Sequence, residues 1–261
     1  MGEIISIHSF RGGTGKSNLT SNIAANIARQ GHRVGIVDTD IQSPGIHILF
    51  GFDETKITTT LNDYLWGQAA IEETAYAINE VSGNDEGREF LKDLNMWLIP
   101  SSSKTGDMAR ILKEGYDVGL LNEGFHTLLE ELNLDYLFID THPGLSEETL
   151  LSIAISSQLI IILRPDQQDM QGTAVTVDVS RKLEVPNLFL VVNMALPDYD
   201  FEQMKTYIGD TYNASVLGVL PLSEDVAGNA SNNLFSMINP DHAWSKTIRD
   251  IADQLVAASG S

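Results

Sequence analysis

The 261-residue chain contains no cysteine. That excludes a structural disulfide, a thiolate zinc site, a cysteine-ligated iron–sulfur cluster and a thiol nucleophile. It also agrees with a reducing compartment. Positive charge is scarce: 16 Lys and Arg stand against 36 Asp and Glu, a formal net charge of −20. Such a surface repels nucleic acid and anionic lipid unless basic residues cluster. No dense Lys/Arg run exists; "SRKLE" at 180–184 and "WSKTIRD" at 244–250 read as solvated helix faces. Long hydrophobic runs are missing too, the longest being "LIIIL" at 159–163, far too short to span a bilayer. The opening "MGEIISIHSF" has no basic leader-like region. There is no repeat, low-complexity tract or Pro/Ser linker. A cytoplasmic protein is expected.

What is present is an alternation of short apolar runs with helical patterns, in a chain that is 43% hydrophobic. Strands are expected at 3–9, 33–40, 94–101, 134–141, 157–165, 187–193 and 214–221. Helices are expected at 17–31, 106–113, 117–132, 146–156, 169–184, 201–208 and about 241–257. The first has Leu19, Ile23, Ala24 and Ile27 at helical spacing and Gly31 as its stop. The polar stretch 81–93 reads as a surface loop. Near-continuously apolar strands suit the centre of a parallel sheet covered on both faces. Strand–helix alternation throughout predicts an α/β fold: one doubly wound domain over 1–261, with a mostly parallel sheet flanked by helices. Ligands of such sheets sit beyond the carboxyl ends of the strands. Residues capable of chemistry fall there: Arg11 to Ser17, Asp38 and Asp40, Asp140 to Gly144, Arg164 to Asp166, Asn193, and Pro221 to Asp225.

The stretch "FRGGTGKSN" (10–18) follows a strand and opens a helix. That context makes it a phosphate loop of P-loop NTPase type. Gly12, Gly13, Thr14 and Gly15 let backbone N–H groups turn inward around phosphate oxygens, and the helix N-terminus adds its positive dipole end. Lys16 would pair with β- and γ-phosphates, and Ser17 can offer its hydroxyl to Mg²⁺. "LFID" (137–140) is an apolar strand ending in Asp140, which delivers a carboxylate to the metal shell. Asp38 ends a neighbouring strand and can reach the same region through metal-bound water. Asp40, two residues on, could orient or polarise an attacking water.

With these motifs in hand, the chain resembles the deviant Walker A ATPases of the MinD/ParA family. The resemblance runs over "RGGTGKS" (11–17), "VDTD" (37–40), "FIDTHPGL" (138–145), "VVN" (191–193) and "GVLPLSED" (218–225), nearly the whole chain. The family pattern is K-G-G-x-G-K-[ST]. The resemblance implies binding of ATP with Mg²⁺, slow hydrolysis to ADP and phosphate, and an ATP-bound homodimer with two nucleotides between the subunits. Arg11 then occupies the place of the lysine that reaches the partner's phosphates. Lys16 is the phosphate lysine within the subunit, Ser17 ligates Mg²⁺, and Asp40 handles water. Asn193 reads the adenine edge, with the backbone around Pro221 and Leu222 walling the base. An amide suits adenine's paired donor and acceptor.

Three positions depart from the pattern. Arg11 replaces lysine, which keeps the charge and adds a planar fork. Asn18 stands where a threonine near the α-phosphate is common, and His142 replaces a small residue or proline. The ending "IADQLVAASGS" lacks the basic amphipathic helix of a MinD-type tail, so no direct membrane anchor is expected. DNA binding would require Arg164, Arg181, Lys182, Lys205, Lys246 and Arg249 to converge. Metal-cluster accessory members of the superfamily usually carry cysteine ligands, so that branch is set aside. The expected function is a nucleotide-gated dimer switch, answering to a protein activator or adaptor, that positions a cargo such as a chromosome or plasmid, a division site or an organelle. The alternatives are a nucleotide-sensing adaptor with little hydrolysis and a P-loop transferase or synthetase.

Overall fold

The computed structural model describes residues 2–52, 55–81 and 88–259. Along the chain run β1 (Glu3–His8), α1 (Lys16–Arg29), β2 (Val34–Asp38), α2 (Ile46–Leu49), α3 (Leu61–Leu65), β3 (Tyr76–Ala77), α4 (Ile78–Val81) and β4 (Met96–Ile99). Then follow α5 (Thr105–Glu114), α6 (Gly119–Glu131), β5 (Tyr136–Asp140), α7 (Glu147–Ala154), β6 (Gln158–Leu163) and α8 (Gln167–Lys182). Last come β7 (Asn187–Ala195), α9 (Phe201–Tyr212), β8 (Ser215–Pro221), α10 (Glu224–Gly228), α11 (Phe235–Ile238) and α12 (Ala243–Ala258).

The strands form one eight-stranded sheet in the order β3-β4-β2-β5-β1-β6-β7-β8. All pairings are parallel except that of β3 with β4. From β1 the chain moves outward to β2 and β4, returns to β5, then crosses β1 to build β6, β7 and β8. The reversal of direction at β1 leaves a crevice at its carboxyl end, where such sheets take ligands. Register brings Ile7 opposite Asp140, and Asp140 opposite Asp38.

The near-continuous apolar runs are explained by the sheet's two covered faces. On one face Ile5, Ile7, Ile36, Phe138, Ile160 and Ile162 meet α1, α2, α11 and α12. On the other, Ile4, Val37, Leu137 and Ile139 pack with α3 and α6, while Leu159, Ile161 and Val192 pack with α7, α8 and α9. α1 buries Leu19, Ile23, Ala24 and Ile27 and gives way to Gly31 in the left-handed region, as the spacing predicts. α12 turns Trp244, Ile248, Ile251 and Leu255 into the same core, against α1 and β8. Its apolar stripe is therefore spent within the fold.

Two expectations need correction. The interval 41–80, assigned no element, contains α2, α3, a 3₁₀ turn at Ile71–Thr74 and the antiparallel edge strand β3. The stretch 81–93 is not simply a surface loop. Residues 82–87 lie outside the described residues, but a 3₁₀ turn at Glu89–Leu91 follows and Leu91 is fully buried. No helix among the described residues is long and apolar enough to cross a membrane.

Candidate nucleotide-binding site

The loop between β1 and α1 is a backbone cradle. Gly13 and Gly15 sit at φ 79° and 84°, the left-handed region that favours glycine. A Cβ on Gly15 would stand 2.6 Å from the Asn193 amide nitrogen, so the position has neither conformational nor steric room for a side chain. Asn193 Nδ2 donates to the Thr14 carbonyl at 2.8 Å, tying the loop to β7. Thr14 Oγ1 is buried and, among the described residues, has no hydrogen-bond partner. Gly12 abuts Pro143, and the Arg11 guanidinium turns away from the cradle toward Asp169.

Beneath the loop, α1 and β5 bring charge together out of water. Lys16 Nζ donates to Asp140 Oδ1 at 2.9 Å, Ser17 Oγ to Asp140 Oδ2 at 2.6 Å, and Thr20 Oγ1 lies 3.1 Å from Asp140 Oδ1. Lys16, Thr20 and Asp140 are all buried. Asp38 lies alongside on β2. Its Oδ1 accepts from the Asp40 N–H at 3.1 Å, and its Oδ2 from the Gly45 and Ile46 N–H groups at 3.1 and 3.4 Å. Burial pushes the Asp38 pKa up to about 7, helped by the neighbouring charge of Asp140 and opposed by Lys16. Two buried carboxylates and a hydroxyl form a hard-oxygen donor set. Mg²⁺ fits it, since that ion is held by one or two carboxylates and keeps its remaining positions for water and phosphate.

Asp40 sits just beyond β2, half-buried, and burial raises its pKa. Its Oδ1 accepts from the Ser43 N–H at 3.2 Å and lies 3.8 Å from His142 Nε2. The other ring nitrogen, His142 Nδ1, lies 2.6 Å from the Pro143 carbonyl. His8, unnoticed in the sequence, is sealed beside the cluster. Its Nδ1 meets Thr141 Oγ1 at 2.8 Å, and burial, then Lys16, push its pKa down to about 3. Since Thr141 Oγ1 also donates to the Ile7 carbonyl at 3.0 Å, the His8 proton must sit on Nδ1.

Arg11 is partly exposed and bends toward the start of α8. It contacts Gln168 Oε1, and its Nε lies 3.9 Å from Asp169 Oδ1. Asp169 is itself held by Arg164, whose Nε and Nη2 donate at 2.9 and 3.3 Å. A sequence separation of 157 residues hid this arrangement.

Beside the loop opens a cavity of ≈ 240 Å³ lined by Gly15, Asn18, Asn193, Pro221, Leu222 and Trp244, among others. Asn18 stands at its mouth, its carbonyl and Oδ1 engaged by Asn22 Nδ2 at 2.8 and 3.1 Å. The Leu222 N–H donates to the Ala195 carbonyl at 2.7 Å, which fixes the wall to β7. Among the described residues, non-glycine left-handed backbone occurs at Asn133, Glu184, Met194, Asn213, Ala230 and Ser231, and three of these line the cavity. Such strain gathers where a binding wall has to be shaped. Four of the six candidate basic residues have partners nearby. Arg164 pairs with Asp166 and Asp169, Arg181 caps the end of α9, Lys182 faces Asp178 and Arg249 binds the Pro240 carbonyl.

A glycine cradle at a helix start, a buried lysine on a strand-end aspartate and a cavity beside them define a P-loop nucleotide-binding protein. The model of the CobQ/CobB/MinD/ParA nucleotide-binding domain matches residues 5–236, and the chain belongs to that family. Curated relatives include the uncharacterized ATP-binding protein MJ0547 of Methanocaldococcus jannaschii, 26% identical over 255 residues, covering 97% of this chain and 88% of that one. An iron–sulfur cluster carrier protein of Rickettsia bellii is 26% identical over 236 residues, covering 89% of this chain but only 65% of the relative. Among solved structures, the septum site-determining protein MinD of Pyrococcus horikoshii, complexed with Mg-ADP, superposes with a TM-score of 0.80. It is 20% identical and covers 100% of this chain and 98% of that one, a likeness of fold.

Proposed function

We propose that this chain is a Mg²⁺-dependent ATPase whose ATP-bound form pairs with a second copy of itself and serves as a switch for positioning a cargo. The observation that carries this reading is the gathering of Lys16, Ser17 and Thr20 on buried Asp140, with Asp38 alongside, under a glycine cradle. The loop amides of Gly12 to Ser17 and the start of α1 receive phosphate oxygens, and Lys16 neutralises the β- and γ-phosphates. Ser17, Asp38 and Asp140 would hold Mg²⁺, which would supply charge neutralisation for the phosphates. Asp40 orients the attacking water, so the chain contributes positioning and electrostatics rather than covalent chemistry. Asn18 lies toward the α-phosphate, Asn193 reads the adenine edge, and Pro221 and Leu222 wall the base. Arg11 leaves Gln168 and Asp169 to reach the partner's phosphates.

The positioning role draws on the fold shared with a septum site-determining protein. A protein activator or adaptor would then set the rate of hydrolysis. A cluster-carrier role finds no support in the residues, because none of the 261 is a cysteine. A second reading, a nucleotide-sensing adaptor with little hydrolysis, is favoured by the engagement of Arg11 within its own chain. Phosphate release and sedimentation with ATP separate the two. The ATPase reading expects Asp40→Ala to bind ATP, lose most turnover and accumulate as dimer, and Arg11→Ala to stay monomeric. Normal turnover in Asp40→Ala removes that residue's role, and unaltered dimerisation of Arg11→Ala removes the cross-subunit role.

A further inference from the structure

The Thr20 hydroxyl sits between two acceptors, 2.9 Å from the Lys16 carbonyl and 3.1 Å from Asp140 Oδ1. A hydroxyl has one proton to donate. The Lys16 contact is the ordinary back-bond of a helical threonine to the residue four before it, and a helix does not need it. The Asp140 contact is different in kind, because Thr20 is fully buried and faces a fully buried carboxylate.

Asp140 now has three hydroxyl or ammonium groups around it: Lys16, Ser17 and Thr20. The function proposed above assigns the first two elsewhere once nucleotide arrives, Lys16 to phosphate and Ser17 to Mg²⁺. Both leave Asp140 in the same event. A buried carboxylate that gives up two donors and turns one oxygen to a metal ion needs its other oxygen held. Thr20 is on the same helix face, its β-branched side chain has few rotamers, and neither phosphate nor metal claims it. We propose that Thr20 is a positioning residue. Its hydroxyl moves its proton from the Lys16 carbonyl to Asp140 Oδ1 when the nucleotide loads, and holds Oδ2 toward the metal shell. This inference rests on the Mg²⁺–nucleotide reading of the site.

The test is a Mg²⁺ titration of fluorescent ADP binding to the full chain, with Thr20→Val and Thr20→Ser as variants. Valine keeps the branched volume without the hydroxyl, while serine keeps the hydroxyl without the branch. The expected result is a Mg²⁺ half-saturation raised about tenfold in Thr20→Val, the scale of one lost hydrogen bond to a charged group. The shift is read relative to each variant's own metal-free ADP affinity, and Thr20→Ser should restore the Mg²⁺ response. A wild-type Mg²⁺ response in Thr20→Val overturns the proposal, as does an equal shift in both variants, which would assign the effect to packing. If the wild-type chain binds ADP with no Mg²⁺ dependence, the metal reading of the site falls and takes this proposal with it.

Discussion

The two ends of the site are built on opposite terms. At the loop end, Lys16, Thr20, Asp38 and Asp140 are buried and engaged with one another or with backbone N–H groups. At the cavity end, Leu222 is 49% exposed and α10 buries none of its residues. The wall there is shaped by left-handed backbone at Met194, Ala230 and Ser231. Charge held out of water is strong and inflexible. An open apolar wall with few polar groups gives orientation and selectivity. On the function proposed above, affinity would come from the loop end and choice of base from the cavity end.

The largest effect that could break this division comes from Lys16. Lys16→Ala should lose about two orders of magnitude in ATP affinity, the scale of truncating one partner of a buried charge pair. Calorimetry showing affinity within threefold of wild type would move the source of binding away from the loop end.

Next comes the stability cost of sealing the loop end. His8 stays neutral in the fold with its pKa pushed down to about 3, against the usual 6.5. The unfolded chain takes up a proton that the fold refuses, so stability falls as pH drops below about 6.5. By pH 5 the loss from this group is about 2 kcal/mol. His8→Asn should flatten urea-derived stability between pH 8 and pH 5 by about that amount, and an unchanged slope would show that His8 is not the group responsible.

The cavity end should respond more gently. Asn193→Ala should cost about fivefold in ADP affinity, roughly 1 kcal/mol, and narrow the preference for ADP over GDP. Competition binding with both nucleotides measures this, and an undiminished preference would place base recognition elsewhere. The smallest effect concerns the wall itself. Ala230 has a φ of 49°, so Ala230→Gly should gain about 0.5–1 kcal/mol in urea unfolding, since left-handed strain slightly exceeds the entropy glycine adds. A loss of stability would mean that the methyl group is needed for packing.

Much of the loop end was legible in the sequence because its signals are local. Gly15, Lys16 and Ser17 are adjacent, and Asp38 and Asp140 end apolar runs that become neighbouring strands. The positions of β1, α1, β2, β5 and α12 followed from period and stop residues. The partners of these residues were not legible. Nothing near Thr20 points to Asp140, and nothing near Arg11 points to Gln168, because those contacts depend on how the sheet folds back on itself. His8 looked like one more strand residue, its burial against Thr141 being a product of β1 and β5 standing side by side. Between 41 and 80 the elements are too short to show a period at all, and β3 spans two residues. At Met194 a left-handed backbone appears with no glycine or asparagine to announce it.

The cavity wall also holds Trp244, one of three tryptophans in the chain. Trp66 and Trp97 lie instead beneath guanidinium groups, those of Arg110 at 4.1 Å and Arg33 at 4.6 Å. The molecule thus carries its own optical reporter. With Trp66 and Trp97 replaced by phenylalanine, a single tryptophan remains beside the cavity, and its fluorescence should follow occupancy of that space without any attached dye.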